Sequence, residues 1–530
     1  MSSQLTGTPA LLKASVRFDG RNFLPWIVIV TALSASSVLV YPLIFPTEQE
    51  RAGLAAAVGS NPALSIIFGQ ANNLLTVDGF NAWRSLALGG FMAALAAIFA
   101  VTRSTRGQED SGQAELLASG VMGRGTRLMS GVILALFGTV LVGLVAAVVT
   151  GLCGGSWGAS LLLGATFTAS GWLFAGVAAV SAQLAAEAHT ANSVAVSALG
   201  VLFLLRGVLE ALAAPEWTAW INPMGWISQT RPADTNTWWP LLLVVALMLV
   251  LVALAFVIQF NRDFGQGAIS PKPGPGTGRL RGPWSLALRL NRATAITWGI
   301  AFLALGTVFG YLSTSIQDLL GSNQGAQSLL AAGSTTTAEI TKSFLRTILS
   351  LVGIIAAVAG VQAMLRVRSE EISDRVEPLL ATPLGRSRYY AANVVPALAL
   401  STVLTLIAGT VIAAVSAGSD SGVVFGDAFL QAALTVPAVW TAAAVAVFVI
   451  GVRPRVSIAA WAGVLISFAL TLLGPTFRLP DWALGISPFW HVPAVGTESP
   501  DLSGLLWVTL VTAVLVLAGF AGFRRRDIAR

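Results

Sequence analysis

Acidic and arginine side chains at helical spacing occur in two related segments of this chain. Arg106–Arg124 reads RGQEDSGQAELLASGVMGR, and Arg368–Arg386, 262 residues later, reads RSEEISDRVEPLLATPLGR. Aligned without a gap, seven of the nineteen positions are identical: Arg106/Arg368, Glu109/Glu371, Ser111/Ser373, Glu115/Glu377, Leu117/Leu379, Gly123/Gly385 and Arg124/Arg386. Carboxylates and guanidiniums of this kind form charge-assisted hydrogen bonds with a complementary surface. Within 366–382, Ile372, Val376, Leu379 and Leu380 recur with a helical period, while Glu370, Glu371, Asp374, Arg375 and Glu377 take the other positions. The spacing predicts one amphipathic helix stopped at Thr382-Pro383, because the residue before proline avoids the α region. Helices lying on lipid carry mainly Lys and Arg, whereas this one sets four acids against Arg375. It is therefore read as a docking helix for another protein. The expected contacts are Arg368, Glu370, Glu371, Asp374, Arg375, Glu377 and Arg386, with Arg106, Glu109, Asp110, Glu115 and Arg124 in the weaker copy.

Bond-making chemistry has little support. A phosphate-binding loop needs Gly-Lys followed by Ser or Thr, but the three lysines follow Leu12, Pro271 and Thr341. If ATP drives this protein, ATP and its Mg must bind a separate subunit, and no cofactor is expected on this chain. Cys153 is the sole cysteine, and the two histidines, His189 and His491, are far apart in sequence, so no metal centre is expected. No nucleophile–base pattern stands out. The one intramembrane ion pair is Arg206 with Glu210, four residues apart on one helix face. It lies near the end of its span, where Arg can snorkel toward water and Glu neutralise it, so it reads as a structural pair, with a substrate or gating role as the alternative.

The elements that position these residues are membrane spans. Hydrophobic residues make up 55% of the chain and charged residues 10%, with a mean hydropathy of +0.77; a soluble domain is about 25% charged. A window of about 19 residues finds roughly twelve spans, near 25–45, 84–102, 128–150, 158–181, 193–213, 239–260, 295–315, 345–365, 391–416, 433–452, 457–475 and 503–523. Alternating strand patterns are absent, and hydrocarbon demands internally paired backbone, so the spans are helices. The expected class is an all-α polytopic membrane protein of the cell membrane.

Charge sets the orientation. With the N-terminus inside, about 24 of the 31 basic residues fall in cytoplasmic segments, six outside and one, Arg206, in a span. That asymmetry follows the positive-inside rule, accounts for the net charge of +7 without invoking nucleic acid, and places both termini in the cytoplasm. The duplication extends past the motif. Pro215, Trp217, Ile221 and Pro223 match Pro480, Trp482, Ile486 and Pro488 at an offset of 265, and Arg262-Asp263 matches Arg526-Asp527 at 264. Two parallel six-helix repeats follow, 1–265 and 291–530, joined by a Pro/Gly/Arg-rich cytoplasmic linker, 266–290. The Trp-rich segments around Pro223 and Pro488 read as interfacial belts.

The string Arg368, Glu370, Glu371, Arg375, Glu377, Leu379 to Pro383 and Arg386 resembles the permeases of bacterial ABC exporters. It is most similar to the actinobacterial polyketide-antibiotic exporters whose archetype confers tetronasin resistance. The resemblance covers the whole chain and implies a type-2 ABC permease fold. It further implies that the motif loop is a coupling helix seated on an ATP-binding cassette subunit, present in two copies. The Trp/Pro segments would be short re-entrant helices, and the cargo hydrophobic or amphipathic and drug-like, moved outward through the bilayer. The N-terminal copy departs from the pattern at Gln108, Gly112 and Gln113. A cargo route between the halves is expected to be lined by Phe91, Met92, Phe203, Leu204, Ile354 and Phe468. The alternative, a proton-coupled secondary transporter, also fits twelve spans in two parallel halves, but the spans hold no isolated central carboxylate.

Overall fold

A computed structural model of the chain describes residues 2–59, 62–113, 115, 122–212, 214–262, 266–269, 282–314, 337–418, 423–473, 479–495 and 502–527. Residues 270–281 of the expected linker lie outside them. The described residues are mostly helical, with no strand, and twelve helices are long and apolar enough to cross a bilayer. In chain order the spans are built on α1 (Leu24–Ile44), α2 (Val77–Thr102), α3 (Thr126–Leu152), α4 (Trp157–Leu184), α5 (Ala188–Ala211), α6 (Pro240–Asn261), α7 (Pro283–Thr314), α8 (Thr337–Ile372), α9 (Arg386–Ala417), α10 (Phe425–Val452), α11 (Ala462–Phe468) and α12 (Ser503–Arg525). The chain divides into two compact units, Met1–Gly274 and Pro275–Arg530.

Each unit is packed in the same way. In the first, α1 lies against α3, α2 against α4, α3 against α4 and α4 against α6. In the second, the equivalent pairs α7/α9, α8/α10, α9/α10 and α10/α12 recur. The central helices are α2 and α4 in one unit and α8 and α10 in the other, whose apolar windows are 67–72% buried; α6 and α12 are only 22% and 17% buried and show their sides to lipid. Composition explains the difference. Lipid tails are as apolar as Leu, so helices associate in a membrane through close backbone approach at small residues. Thus α4 buries Ala159, Gly164, Ala169, Gly171, Ala175 and Gly176, whereas Leu242, Leu249 and Val250 of α6 point outward.

The tightest approach joins α3 to α4. A Cβ on Gly164 would stand 2.3 Å from the Gly143 carbonyl oxygen, and one on Gly143 would stand 2.2 Å from that of Gly164. Gly164→Val must therefore force these backbones apart. Overpacking of this kind costs about 1–3 kcal/mol, so the purified variant should melt several degrees below wild type in a thermal-shift assay. An unchanged melting temperature would contradict this contact.

Three elements differ from the sequence expectation. Helices Glu48–Gly59 and Pro62–Phe68 precede α2, in the long connection between the first two expected spans. The eleventh span is irregular: a 3-10 stretch, Pro454–Trp461, leads into the short α11, which ends in a wide π-type turn, Ala469–Leu473. The expected single helix over 366–382 is instead two. α8 runs to Ile372, and after a break a five-residue helix, Val376–Leu380, follows.

Candidate functional site

In the first unit, α2 runs into a wide helical turn, Arg103–Gly107, and a last short turn, Gln108–Asp110. The widening carries Arg106 inward, where it is 1% exposed. Its Nη1 meets Glu109 Oε2 at 2.6 Å, Nε donates to the Ala182 carbonyl at 3.1 Å, and Nη2 donates to the Gln266 carbonyl at 3.2 Å. Glu109 also pairs with Arg127 at 3.2 Å and with Arg262, at the end of α6, at 2.9 Å. Arg124, the last residue of the motif, donates from Nη2 to the Arg262 carbonyl at 3.0 Å. Both ends of the motif thus grip one residue, the first by its side chain and the last by its backbone.

The second unit repeats this arrangement. Arg368 Nη1 lies 3.4 Å from Glu371 Oε2, and the other oxygen of Glu371 accepts from Arg526, just past α12. Arg386 Nη1 donates to the carbonyls of Arg524, at 3.2 Å, and Arg526, at 2.8 Å. The pairs Arg106/Arg368, Glu109/Glu371 and Arg124/Arg386, identical between the copies, therefore form an internal clamp on the end of the sixth span of each unit. Arg106, Glu109 and Glu371 turn inward and do not form the outward docking face expected from the sequence, whereas Arg124 and Arg386 stay exposed. Only 6% of the Glu109 side chain and 3% of the Glu371 side chain are exposed. Asp110 stays exposed, and its Oδ2 accepts from the Ala188 backbone N–H at 2.6 Å at the start of α5. At the position of Arg127 the second unit has Tyr389. Its clamp therefore holds two guanidiniums where the first holds three.

The break in the expected helix has a local cause. The Asp374 N–H donates to the Glu371 carbonyl and the Arg375 N–H to that of Glu370, each at 3.1 Å, closing the end of α8 with Asp374 in the left-handed region at φ 56°. This is the paired-bond C-terminal stop in which a left-handed residue satisfies orphan carbonyls. Gly112 occupies the same place in the first copy with φ 73°, and its N–H donates to the Glu109 carbonyl at 3.1 Å. The Asp/Gly difference is thus a helix stop in both copies, and a glycine aligned with an aspartate was the signal for it in the sequence.

The break also redistributes the charges. Val376 turns into the core at 1% exposure, while Ile372, expected on the apolar side, is 60% exposed. Asp374, Arg375 and Glu377 stand outward, with Glu370 beside Arg375 at 3.4 Å, and Glu115 is exposed in the other copy. Asp374, Arg375 and Glu377 thus form a small charged tip on a clamped base.

The residues expected to line a cargo route have different surroundings within their own units. Phe91 of α2 and Phe203 of α5 meet edge to face, with ring centroids 5.1 Å apart. Met92 packs into the cluster around Phe23 and Phe167, Ile354 is 2% exposed in the core of the second unit, and Leu204 and Phe468 are 41% and 44% exposed. Arg206 does not snorkel. It is buried beside Glu210 at 3.4 Å, with its guanidinium over the Phe203 ring at 4.8 Å. Among the described residues no group of three His, Cys, Asp or Glu is placed to hold a metal ion.

With this geometry established, comparison with known proteins gives two matches. The family model described as "Multidrug efflux system permease Rv1217c, C-terminal domain" covers residues 51–259 and 280–524. The multidrug efflux system permease protein Rv1217c of Mycobacterium tuberculosis is 34% identical over 539 residues, spanning 99% of this chain and 96% of its own length.

Proposed function

This chain belongs to the Rv1217c family of multidrug efflux system permeases, and from that premise we propose that it is the membrane-spanning permease of an ATP-driven exporter. ATP is hydrolysed on a separate cassette subunit, in two copies, and the cargo is hydrophobic or amphipathic and drug-like. The polyketide-exporter resemblance of the 368–386 motif narrows the cargo to compounds of antibiotic type. The partner docks on the charged tips that face the cytoplasm, Asp374, Arg375 and Glu377 in one unit and Glu115 in the other.

The observation that carries this reading is the clamp beneath the tips. A docking loop transmits force only if its base is rigid. Here the base ties the end of the second span of each unit to the end of the sixth through Glu109–Arg262 and Glu371–Arg526. A push on the tip then moves several helices as one body, the rigid-body rocking by which parallel repeats alternate access. Buried in this way, the same acids serve poorly as proton carriers, which disfavours a proton-coupled carrier.

Purified and reconstituted alone, the chain should hydrolyse ATP no faster than empty nanodiscs, since none of its lysines sits in a phosphate loop. Copurified with a cassette subunit, it should support vanadate-sensitive turnover and export that survives a protonophore. Export abolished by the protonophore and indifferent to vanadate would establish the secondary-carrier mechanism instead.

A further inference from the structure

A cavity of about 310 Å³ opens in the first unit at the end opposite the clamp, between the start of α2, the end of α5 and the segments 68–73 and 214–234. Its floor is the Arg206–Glu210 pair. Arg206 is 2% exposed and only 16% of the Glu210 side chain is exposed. Arg206 Nη2 donates to the carbonyls of Ile66 and Ile67 at 3.3 and 3.2 Å, which the helix Pro62–Phe68 brings onto α5. The rest of the pair closes on itself, since Arg206 Nη1 lies 3.4 Å from Glu210 Oε2. Arg206 Nε is left without a hydrogen-bond partner among the described residues, and a buried guanidinium N–H beside a cavity is a donor open to whatever enters it. Gly69, at φ 94°, lets the backbone pass close over the pair, since a Cβ there would stand 2.9 Å from Glu210 Oε2.

The duplication supplies an independent argument. At the offset of 265 that aligns Pro215 with Pro480, Arg206 corresponds to Thr471 and Glu210 to Pro475, and the eleventh span carries no charge over 457–475. A six-helix unit of this fold is therefore built without the pair. Buried ion pairs are often no more stabilising than apolar residues of similar volume, so architecture alone does not account for this one.

We propose that the cavity binds the neutral, hydroxyl- and carbonyl-bearing head of an amphipathic cargo, with Arg206 and Ser228 donating to it and Glu210 accepting from it. This rests on the export reading above and names the chemistry that the site selects. The charges around the cavity largely cancel. Arg206 faces Glu210, and Arg231 faces Glu216 at 3.8 Å, with Asp234 exposed at the rim. Gln70, Asn72, Asn73, Thr218 and Gln229 supply further neutral hydrogen-bonding groups, and Trp83 an aromatic wall. Such a lining favours dipoles over a net ion. The volume is at the small end of drug-binding pockets, which run from about 300 to 1,000 Å³, so it suits a sugar or lactone edge while the apolar remainder stays outside.

The test is equilibrium binding to the full chain in nanodiscs, without nucleotide or partner subunit, using tritiated digoxin as a neutral, hydroxyl- and lactone-bearing probe and tetraphenylphosphonium as a lipophilic cation without hydrogen-bonding groups. Arg206→Met/Glu210→Leu removes the polar floor, and Ser228→Leu fills the cavity while leaving the pair in place. Each should weaken digoxin binding tenfold or more, change tetraphenylphosphonium binding less than twofold and leave the melting temperature unchanged. If the double variant does not fold, Ser228→Leu decides alone. Absence of saturable digoxin binding to wild type, unchanged digoxin binding in the variants, or equal loss of both probes overturns the proposal. Because the assay contains no ATPase, any of these results leaves the export reading standing, and that reading fails only on the vanadate and protonophore outcomes.

Discussion

Glu371→Lys will lower the melting temperature of the purified chain, and Glu109→Lys will lower it further, even though the sequence places both acids on a docking surface. Each carboxylate is almost fully buried among arginines, two around Glu371 and three around Glu109. Removing one partner from a buried ionic cluster costs about 3–5 kcal/mol, because the opposing charge is left without compensation. Reversal adds repulsion to that loss. For units of this size the fall should be on the order of 10 °C, read by tryptophan fluorescence or fluorescence-detected size exclusion. The exposed Glu377→Lys is the control and should stay within about 0.5 kcal/mol of wild type. Restoring opposite charges with Glu371→Arg/Arg526→Glu should recover part of the loss, which a nonspecific packing effect would not allow. A Glu371→Lys chain that melts with wild type would show that the clamp is not made.

Reversal of the tip gives the opposite pattern. Asp374→Lys/Glu377→Lys should leave membrane insertion as in wild type and lower melting far less than Glu371→Lys, yet cut copurification of the cassette subunit and drug-stimulated ATP hydrolysis more than tenfold. A like-charge juxtaposition across a docked interface costs several kcal/mol, and both side chains are exposed. Asp374→Gly separates charge from conformation. Gly112 holds the equivalent left-handed position, so this change preserves the helix stop and removes only one carboxylate. It should cost a fraction of the double reversal. Wild-type coupling in the double variant would move the docking surface elsewhere.

The twelve spans were legible in the sequence, and so were the identities of the duplication, because both depend on local information. Apolar run length is set by bilayer thickness and helix rise, and duplication leaves identities at a near-constant offset. The pairing of Arg106 with Arg368, Glu109 with Glu371 and Arg124 with Arg386 was visible for the same reason. Their purpose was not. The partners that bury Glu109 and Glu371 are Arg262 and Arg526, 153 and 155 residues away along the chain. An amphipathic pattern cannot distinguish an acid facing solvent from one facing the end of a distant helix. The helix break was legible in principle from Gly112, yet the periodicity of Ile372, Val376 and Leu379 argued for continuity. The burial of Arg206 belonged to tertiary structure alone, because the helix Pro62–Phe68 folds across α5 and closes the route by which a long side chain reaches water. Hydropathy thus determined which segments enter the membrane. Packing decided which charges remain accessible, since the desolvation of an ion depends on every neighbour that surrounds it, whatever its place in the chain.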